Sequence, residues 1–264
     1  MPSRDLAATF YGSGYWGEQV KPGLLNRLQA HYVATLLRWD LMRWFNRMNI
    51  KPAESFLDFG CSRGDWLALI AKRGVQAHGI DGDPRAVEYA RNTFGLDVSC
   101  HQAETWDPAP DQLAGMAALH VLEHTHEPLI FLQKCHRALR QEGRLLLRVP
   151  NLGSWQATWT GTAWKGLEAP RHLWQFTLPA IRKLLSDAGF QVDRVSTWSW
   201  RDGPPGLSSS LFAQGEPTRQ KIMGRARPLA TLFYLALTWA LTPVEGLAAA
   251  LQKGGMLTVV ARKS

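Results

Sequence analysis

Cysteine is scarce in this chain, and its spacing forms no metal-binding or disulfide pattern. The three cysteines, Cys61, Cys100 and Cys135, lie far apart and form no C-x-x-C pair. An odd number of scattered cysteines predicts neither a disulfide framework nor a zinc site, so we expect no metal and a reducing, cytoplasmic location. Residues 1–6 lack the apolar run of a secretory signal, which agrees with that location.

Acidic residues are outnumbered, with 22 Asp and Glu against 30 Lys and Arg and a formal net charge of +8. The excess is uneven, because residues 51–110 hold more acids than bases. Four bases instead cluster at Arg219, Lys221, Arg225 and Arg227. A nucleic-acid surface would favour a broad basic stripe with interleaved aromatics, so we expect no nucleic-acid partner. The cluster is either a solvated turn or a contact for lipid headgroups.

Charge is absent altogether from Pro228 to Val244, a run near the lower length limit for a membrane span. We expect no span, because the apolar strand at 255–262 would then lie across the bilayer from the sheet that it must join. A buried helix, a dimer-forming helix and an interfacial helix remain. The segment 217–252 is therefore predicted to be a helical insertion that forms a homodimer or meets the inner membrane face peripherally.

Short apolar strands alternate with helical patterns along most of the chain, as in βαβ units. Strands are predicted at 55–60, 75–80, 97–101, 115–121, 144–149, 190–199 and 257–261, and helices at 65–73, 127–140, 178–188 and directly after residues 83–84. This alternation predicts an α/β fold with a doubly wound, mostly parallel sheet. Ligands of such sheets bind at the carboxyl ends of the strands.

Two domains are predicted from the position of these elements. Residues 1–51 would form an N-terminal aromatic lid and a helix, and residues 52–264 would form the ligand-binding domain. Within the second, the connection 150–177 is long for an α/β fold and rich in tryptophan. Long connections in compact domains are usually functional, and this one is too apolar for disorder.

A glycine turn and two acidic residues form a nucleoside-binding pattern. The first strand runs into Asp58-x-Gly60-x-Ser62-x-Gly64, and the next strand ends on Asp81. A tight turn lets the backbone approach a nucleoside, and a carboxylate one strand over can accept hydrogen bonds from both ribose hydroxyls. A dinucleotide fingerprint would need a middle glycine, which this turn lacks.

This turn resembles motif I of the class I S-adenosylmethionine-dependent methyltransferases. Three further segments extend the resemblance in the same order: residues 120–124 (HVLEH), 149–151 (VPN) and 171–190, which run from Arg-His-Leu to Ala-Gly-Phe. They look like the quinone-biosynthesis methylases and the methyltransferases that tailor natural products and glycans. The resemblance covers about residues 52–200 and the last strand, and it implies a Rossmann-like sheet of seven strands with the seventh antiparallel.

The resemblance implies S-adenosyl-L-methionine as the cofactor. The residues expected to bind it are Tyr11, Tyr15, Asp58, Gly60, Cys61, Ser62, Gly64, Asp81, Gly82, Gln102, Ala103 and His120. Gly60 and Gly64 would let the backbone pass beneath the methionine part, and Asp58 would orient the turn or meet the amino group. Relatives often place a bulky apolar residue on the adenine where this chain has Gly82, and Gln102 follows the third strand as an adenine contact or a plain surface turn.

Methyl transfer from a sulfonium is an in-line displacement, so positioning comes first and a base is needed only where the acceptor loses a proton. Histidine titrates near neutrality, which makes His120, His124 and His172 the candidate bases. Each has a structural alternative, such as a turn cap for His124 or a packing hydrogen bond for His172. The acceptor is expected to contact Trp16, Asn151, Trp155, Trp164 and His172.

We expect an enzyme that methylates a small molecule, foremost at oxygen, on an aromatic, polyketide, quinone, lipid or sugar acceptor. One alternative is a nucleic-acid methyltransferase, but enzymes that methylate base amines typically carry an Asn/Asp-Pro-Pro-aromatic tetrad where this chain has residues 120–124. The other is a nucleoside-binding module without catalysis, against which the intact Gly60, Gly64 and Asp81 argue.

Overall fold

The computed structural model describes residue 35, residues 38–222 and residues 227–264. These residues form two compact units. The sheet unit comprises residues 41–150, 176–196 and 257–264, and the helical unit comprises the described residues up to 40 with 151–175 and 197–256. The predicted lid, with Tyr11, Tyr15 and Trp16, lies outside the described residues. Of the helix predicted within residues 1–51, the structure describes residues 38–48 as helical.

The sheet unit is built on seven strands. They are β1 (Ser55–Phe59), β2 (Gln76–Asp81), β3 (Asp97–Cys100), β4 (Leu113–Leu119), β5 (Leu139–Pro150), β6 (Phe190–Ser196) and β7 (Met256–Lys263). Their order is β3-β2-β1-β4-β5-β7-β6. The first five strands pair in parallel, whereas β7 is antiparallel to β6. The predicted fold, a mostly parallel sheet of seven strands with an antiparallel seventh strand, is confirmed.

Eight α-helices have described bounds. In the sheet unit they are α1 (Asp65–Ala71), α2 (Pro84–Phe94), α3 (Pro128–Ala138) and α5 (Leu178–Asp187); in the helical unit they are α4 (Trp155–Thr160), α6 (Gly203–Leu211), α7 (Pro217–Ile222) and α8 (Pro228–Ala250). Helix α2 begins as its sequence predicts, because Asp83 accepts a hydrogen bond of 2.9 Å from the Arg85 N–H and Pro84 needs no partner in the first turn.

The central strands are buried, so they form a rigid platform for the loops that follow them. Every residue of β4 up to Ala118 is buried, and Leu145, Leu146 and Leu147 of β5 have no exposed surface. Near-continuous apolar runs are typical of parallel strands covered on both faces. Helical residues 41–48 contribute to this core, where the Phe45 ring meets Phe56 edge-on at 5.3 Å.

Some local features differ from the predictions. Strand β4 ends at Leu119 rather than at residue 121, because His120 has a φ of +57° that no strand residue adopts. Helix α6 was not predicted, since its Gly-Pro-Pro-Gly start reads as a loop, although prolines fit the first helical turn. The connection 150–177 contains helix α4 and two short 3-10 turns rather than an irregular loop.

Helix α8 is the one helix among the described residues that is long and apolar enough to cross a membrane, by length and composition alone. It falls within the predicted insertion 217–252. Its sole charged residue, Glu245, is buried and accepts hydrogen bonds from the Gly255 N–H at 2.6 Å and the Gln156 amide at 2.8 Å. These contacts fix the end of α8 within the helical unit.

Candidate cofactor and active site

The turn after β1 is held to β2 by backbone hydrogen bonds. The N–H groups of Gly60 and Cys61 both donate to the Ile80 carbonyl, at 2.7 and 3.0 Å, and the Gly64 N–H donates back to Cys61 at 3.0 Å. Gly60 has a φ of +79°, a conformation that favours glycine. The turn therefore lies directly beside the carboxyl end of β2.

Asp81 is the acidic residue at that end, and the protein holds both of its carboxylate oxygens in place. One accepts a hydrogen bond of 2.7 Å from the Ser62 N–H, and the other accepts one of 2.9 Å from the Asp83 N–H. Burial raises the pKa of Asp81, although these two N–H groups oppose the shift. Since a carboxylate has about four acceptor sites, Asp81 can still accept hydrogen bonds from a ligand diol.

Asp58 supports the turn from beneath. Its side chain is buried, and it does not line the cavity that opens beside the turn. Burial raises the pKa of Asp58 well above its ordinary value, and repulsion from Asp81 adds to the increase. Of the two predicted roles, this placement favours orientation of the turn. Cys61 is also buried, so its backbone rather than its thiol is placed to act in the turn.

Asp58→Asn should stabilise the protein at neutral pH by about 1 kcal/mol or more, because an amide is cheaper to bury than a carboxylate. A carboxyl group with a raised folded-state pKa contributes stability below its unfolded-state pKa and loses it as the pH rises through the folded-state value. The gain should therefore grow from acidic to neutral pH. Urea unfolding across this pH range measures it, with the exposed Asp65→Asn as the control; an equal gain in both variants would contradict the account.

Gly64 is required by the protein's own packing. Its φ is +76°, and a Cβ at this position would lie 2.6 Å from Leu96 Cδ1 and 3.1 Å from Ala90 Cβ. The prediction assigned this glycine to close approach by the cofactor. The structure adds a reason that holds without any ligand, since the start of α1 lies against Ala90 of α2 and against Leu96, which follows that helix.

Gly64→Ala should lower the free energy of unfolding by about 3 kcal/mol, from a strained φ together with overpacking. The chain offers a matched control in Gly95, which has a φ of +64° and no atom within 4 Å of the position of a Cβ. Gly95→Ala should lower the free energy of unfolding by about 1 kcal/mol, the cost of a left-handed φ for a residue with a Cβ. Urea unfolding measures the free energy of unfolding of both variants, and the difference between them is the cost of the steric clash at Gly64. Equal losses of stability in the two variants would show that packing at Gly64 is unimportant.

A cavity of about 130 Å³ opens at the carboxyl ends of β1, β2, β3 and β4. Its lining residues are Phe59, Gly60, Gly82, His101, Gln102, Ala103, Glu104, His120, Val121, His124 and Thr125. It brings together six predicted site residues, namely Gly60, Gly82, Gln102, Ala103, His120 and His124. Sequence analysis missed the other five, although each is adjacent in sequence to a predicted site residue.

Gln102 explains the departure of Gly82 from the family pattern. A Cβ at Gly82 would lie 2.6 Å from the Gln102 Nε2 atom, and the Gln102 amide donates a hydrogen bond of 3.3 Å to the Gly82 carbonyl. The glutamine side chain therefore occupies the space that a bulky residue at position 82 would take. Its planar amide forms part of the cavity wall where the adenine was expected.

His120 combines a constrained backbone with a paired ring. Its φ is +57°, and its N–H donates to the Arg148 carbonyl at 2.9 Å. The ring Nδ1 lies 3.4 Å from Oε1 of Glu123, whose side chain is almost fully buried. His124 follows in a short 3-10 turn, where its N–H donates to the Val121 carbonyl at 2.9 Å. Both histidines line the cavity, although Nε2 of His120 is buried.

A second histidine–carboxylate pair lies beside the cavity and was not predicted. The Glu104 carboxylate accepts a hydrogen bond of 3.3 Å from the His126 N–H and lies 3.1 Å from its ring Nδ1. The pKa of Glu104 lies below its ordinary value. Burial raises it, but hydrogen bonds, including those from His126, have the larger combined effect and lower it. The cavity wall therefore carries an ionised carboxylate at neutral pH.

The remaining predicted residues lie in the helical unit. Both ring nitrogens of His172 face acceptors, with Nδ1 2.7 Å from the Gly166 carbonyl and Nε2 3.2 Å from Glu168 Oε2. Burial raises the pKa of Glu168, but the hydrogen bond from His172 and nearby cations bring it down to about 2, so this carboxylate is ionised. The arrangement matches the structural alternative for His172, a hydrogen bond that packs the connection. Neither ring nitrogen is directed at the hydroxyl group of a methyl acceptor.

Two further predicted substrate contacts have structural partners. The buried Asn151 amide donates to the Gly254 carbonyl at 2.8 Å, and its oxygen accepts from the Gly153 N–H at 3.0 Å. Trp164 is 4% exposed and packs over Gly166. These contacts favour structural roles. Trp155 is partly exposed and lies against the Trp159 ring at 5.3 Å, so it remains a predicted substrate contact.

Comparison with known proteins decides the family. A family model described as "Methyltransferase domain" matches residues 30–195, more than half of the chain. The chain belongs to the class I S-adenosylmethionine-dependent methyltransferases. The predicted family and its methyl donor, S-adenosyl-L-methionine, are confirmed at this level.

Individual relatives match only part of their own length. A ribosomal protein L11 methyltransferase from Burkholderia orbicola is 34% identical over 96 residues, which cover 33% of this chain and 30% of the relative. A probable S-adenosylmethionine-dependent methyltransferase from Mycobacterium tuberculosis is 28% identical over 157 residues, or 56% of this chain and 55% of the relative. The chain thus spans between about a third and about half of the length of these curated relatives.

A solved structure supports the fold. A SAM-dependent methyltransferase from Archaeoglobus fulgidus superposes with a TM-score of 0.57 at 16% identity, covering 87% of this chain and 94% of that one. At this identity the likeness concerns the fold alone, so the acceptor has to be argued from the site.

The cavity side chains fit the methyl donor of the family. Gln102, which lines the cavity, offers an amide to the adenine, and Asp81, which lies outside the lining, offers a carboxylate at the end of β2. The described residues that line the cavity include no lysine or arginine, and the arginine of the turn, Arg63, lies over the Tyr89 ring at 3.6 Å. A nucleoside without a phosphate suits such a site.

Proposed function

We propose that the protein transfers the methyl group of S-adenosylmethionine to a hydroxyl group of a small molecule of the aromatic, polyketide, quinone, lipid or sugar classes. The observation that carries the proposal is the position of His120 and His124. Both histidines line the cavity that the Gly60 turn also lines, so a candidate proton acceptor lies beside the expected donor site. O-methylation is the transfer that most requires such a base.

When bound, the cofactor supplies an electrophilic methyl group on a sulfonium. The chain's part is first to position it: Asp81, anchored by the Ser62 and Asp83 N–H groups, would accept the ribose hydroxyls. The Gln102 amide would lie against the adenine. Because these groups are fixed before binding, little ordering is needed to align the methyl group with an acceptor.

His120 is the better-oriented base. Its Nδ1 lies 3.4 Å from Glu123 Oε1, so we expect the proton on Nδ1 and the basic lone pair on Nε2. Nε2 is buried, so acceptor binding would have to expose it before it takes the hydroxyl proton. The buried Glu123 would then stabilise the imidazolium that forms, as the carboxylate of a catalytic triad does. His124, which also lines the cavity, is the second candidate.

A protein acceptor is the competing function. The similarity to ribosomal protein L11 methyltransferases over 96 residues favours it, because those relatives act on a protein. A protonated amine must lose a proton before it can accept a methyl group. The same histidines could take that proton, so the same cavity could also hold an amine acceptor. The two functions differ in the size of the acceptor and in the atom methylated.

A labelled-methyl screen tests the proposal. Purified protein is incubated with S-adenosylmethionine carrying a labelled methyl group and with separate panels of phenols, alcohols, amines and ribosomal protein L11. We expect label in a hydroxyl-bearing small molecule, located on oxygen by mass spectrometry. Label on L11 alone, or on small-molecule amines alone, would contradict the proposal.

A further inference from the structure

Helix α8 packs into the helical unit through its polar side chains. Thr231, Tyr234, Glu245 and Ala248 are its buried residues, and three of them are polar. The Tyr234 hydroxyl lies 3.1 Å from Ser209 Oγ, and the Thr238 hydroxyl donates to Ser208 Oγ at 3.0 Å. The partner helix α6 meets it with a run of small, buried serines.

The opposite face of α8 is apolar. Every exposed residue of the helix is apolar: Pro228, Leu229, Leu232, Phe233, Ala236, Trp239, Ala240, Pro243, Leu247 and Ala250. Leu229 is 81% exposed, Phe233 57% and Trp239 59%. Only 17% of the most apolar 18-residue stretch of α8 is buried, whereas a core helix would be mostly buried.

This polarity is the reverse of a surface helix in water, which buries its apolar stripe and exposes its polar one. Helices surrounded by lipid associate in the way that α6 and α8 do, through small residues and hydrogen-bonded hydroxyls, and direct their large apolar side chains outward. A contiguous exposed apolar face of this length marks a surface that is covered by something other than water.

The chain topology shows that α8 does not cross a bilayer. Strand β6 precedes the helix and β7 follows it, and the two strands pair antiparallel in one sheet. A single crossing between them would separate these strands by the thickness of a membrane. The apolar face therefore lies along a surface.

Charge distinguishes a lipid surface from a second copy of the chain. Residues 217–244 contain four bases and no acid, and both Arg219 in α7 and Arg227 directly before α8 are exposed. Two copies paired through this face in a symmetric, parallel manner would bring like charges together. An anionic bilayer would attract the same charges while it takes up the apolar face, and tryptophan favours the interface.

We propose that α8 is an interfacial helix that docks the protein on an anionic phospholipid surface, with its apolar face in the acyl boundary and with Arg219 and Arg227 against the headgroups. This anchoring is independent of the methyl acceptor. It would hold the protein at a membrane surface.

Vesicle flotation of the full chain tests the proposal. Phosphatidylcholine vesicles with about one third phosphatidylglycerol should bind the protein, binding should weaken with added salt, and pure phosphatidylcholine should bind it at least about tenfold less. The double variant Leu232→Ser/Phe233→Ser should lose about tenfold or more of the partition coefficient. Its matched control is Ile130→Ser/Phe94→Ser, which removes exposed apolar residues from the sheet unit and should bind like the wild type.

A charge variant tests the proposed contact of the basic residues with the lipid headgroups. Arg219→Gln/Arg227→Gln should lose about tenfold of the binding to anionic vesicles, whereas the exposed pair Arg182→Gln/Arg194→Gln should change it less than about threefold. Thermal melting of each variant confirms that it is folded.

Three results would overturn the proposal. One is the absence of wild-type binding to anionic vesicles. The second is equal loss of binding in the apolar variant and its control. The third is a wild-type dimer, measured by analytical ultracentrifugation, that Leu232→Ser/Phe233→Ser converts to a monomer without any vesicle binding, which would assign the face to a second copy.

Discussion

His120→Asn should lower kcat for a hydroxyl acceptor by about 100-fold or more and leave the affinity for S-adenosylhomocysteine nearly unchanged. Asparagine tolerates the φ of +57° at this position but cannot act as a base, so the variant removes the proton acceptor without distorting the turn. Glu123→Gln should have a smaller effect and should shift the pH profile of kcat, because Glu123 acts through the imidazole.

The other histidines provide the comparison. His172→Asn should leave kcat within a few-fold of the wild type after correction for unfolding, because both ring nitrogens of His172 already face Gly166 and Glu168. A full loss in His124→Asn with an active His120→Asn would transfer the base role to His124. Full turnover in all three variants would show that positioning alone carries the reaction.

Asp81→Ala should weaken S-adenosylhomocysteine binding by about 2 kcal/mol or more, the scale for losing charge-assisted hydrogen bonds to two hydroxyls. Titration calorimetry measures the loss. Asp97→Ala is the matched control, because Asp97 is an exposed carboxylate at the opposite end of the neighbouring strand β3. Unchanged affinity in Asp81→Ala would contradict the assignment of the ribose site.

Most of the sheet was predictable because each strand and helix carries its own local signal. Strand β1 ends in a glycine turn, α2 begins at an Asp-Pro cap, and β5 contains the apolar run 145–147. Boundaries were less predictable: β5 begins at Leu139, five residues before the predicted start, since its first residues are polar and their pairing depends on β4.

The paired carboxylates of the site were harder to predict than its histidines. Glu104 and His126 are 22 positions apart and meet only in the folded chain. Glu123 pairs with His120 because the left-handed residue at the end of β4 turns the ring back over the following turn, and no sequence pattern announces that conformation. The occupation of the Gly82 space by Gln102 is likewise a tertiary contact.

The orientation of α8 was also beyond sequence analysis. The uncharged run 228–244 identifies an apolar helix. It does not show which face of the helix is buried, since three threonines and a tyrosine are scattered among the apolar residues. The choice depends on α6, whose serines supply hydrogen-bond partners, and α6 itself carries no clear helical signal.

A crystal structure of the complex with S-adenosylhomocysteine tests the central claim most directly. The account predicts the ribose hydroxyls on the Asp81 carboxylate, the adenine against the Gln102 amide, and the sulfur directed toward His120 and His124. A ligand bound with its ribose away from Asp81, or with its sulfur away from both histidines, would contradict it.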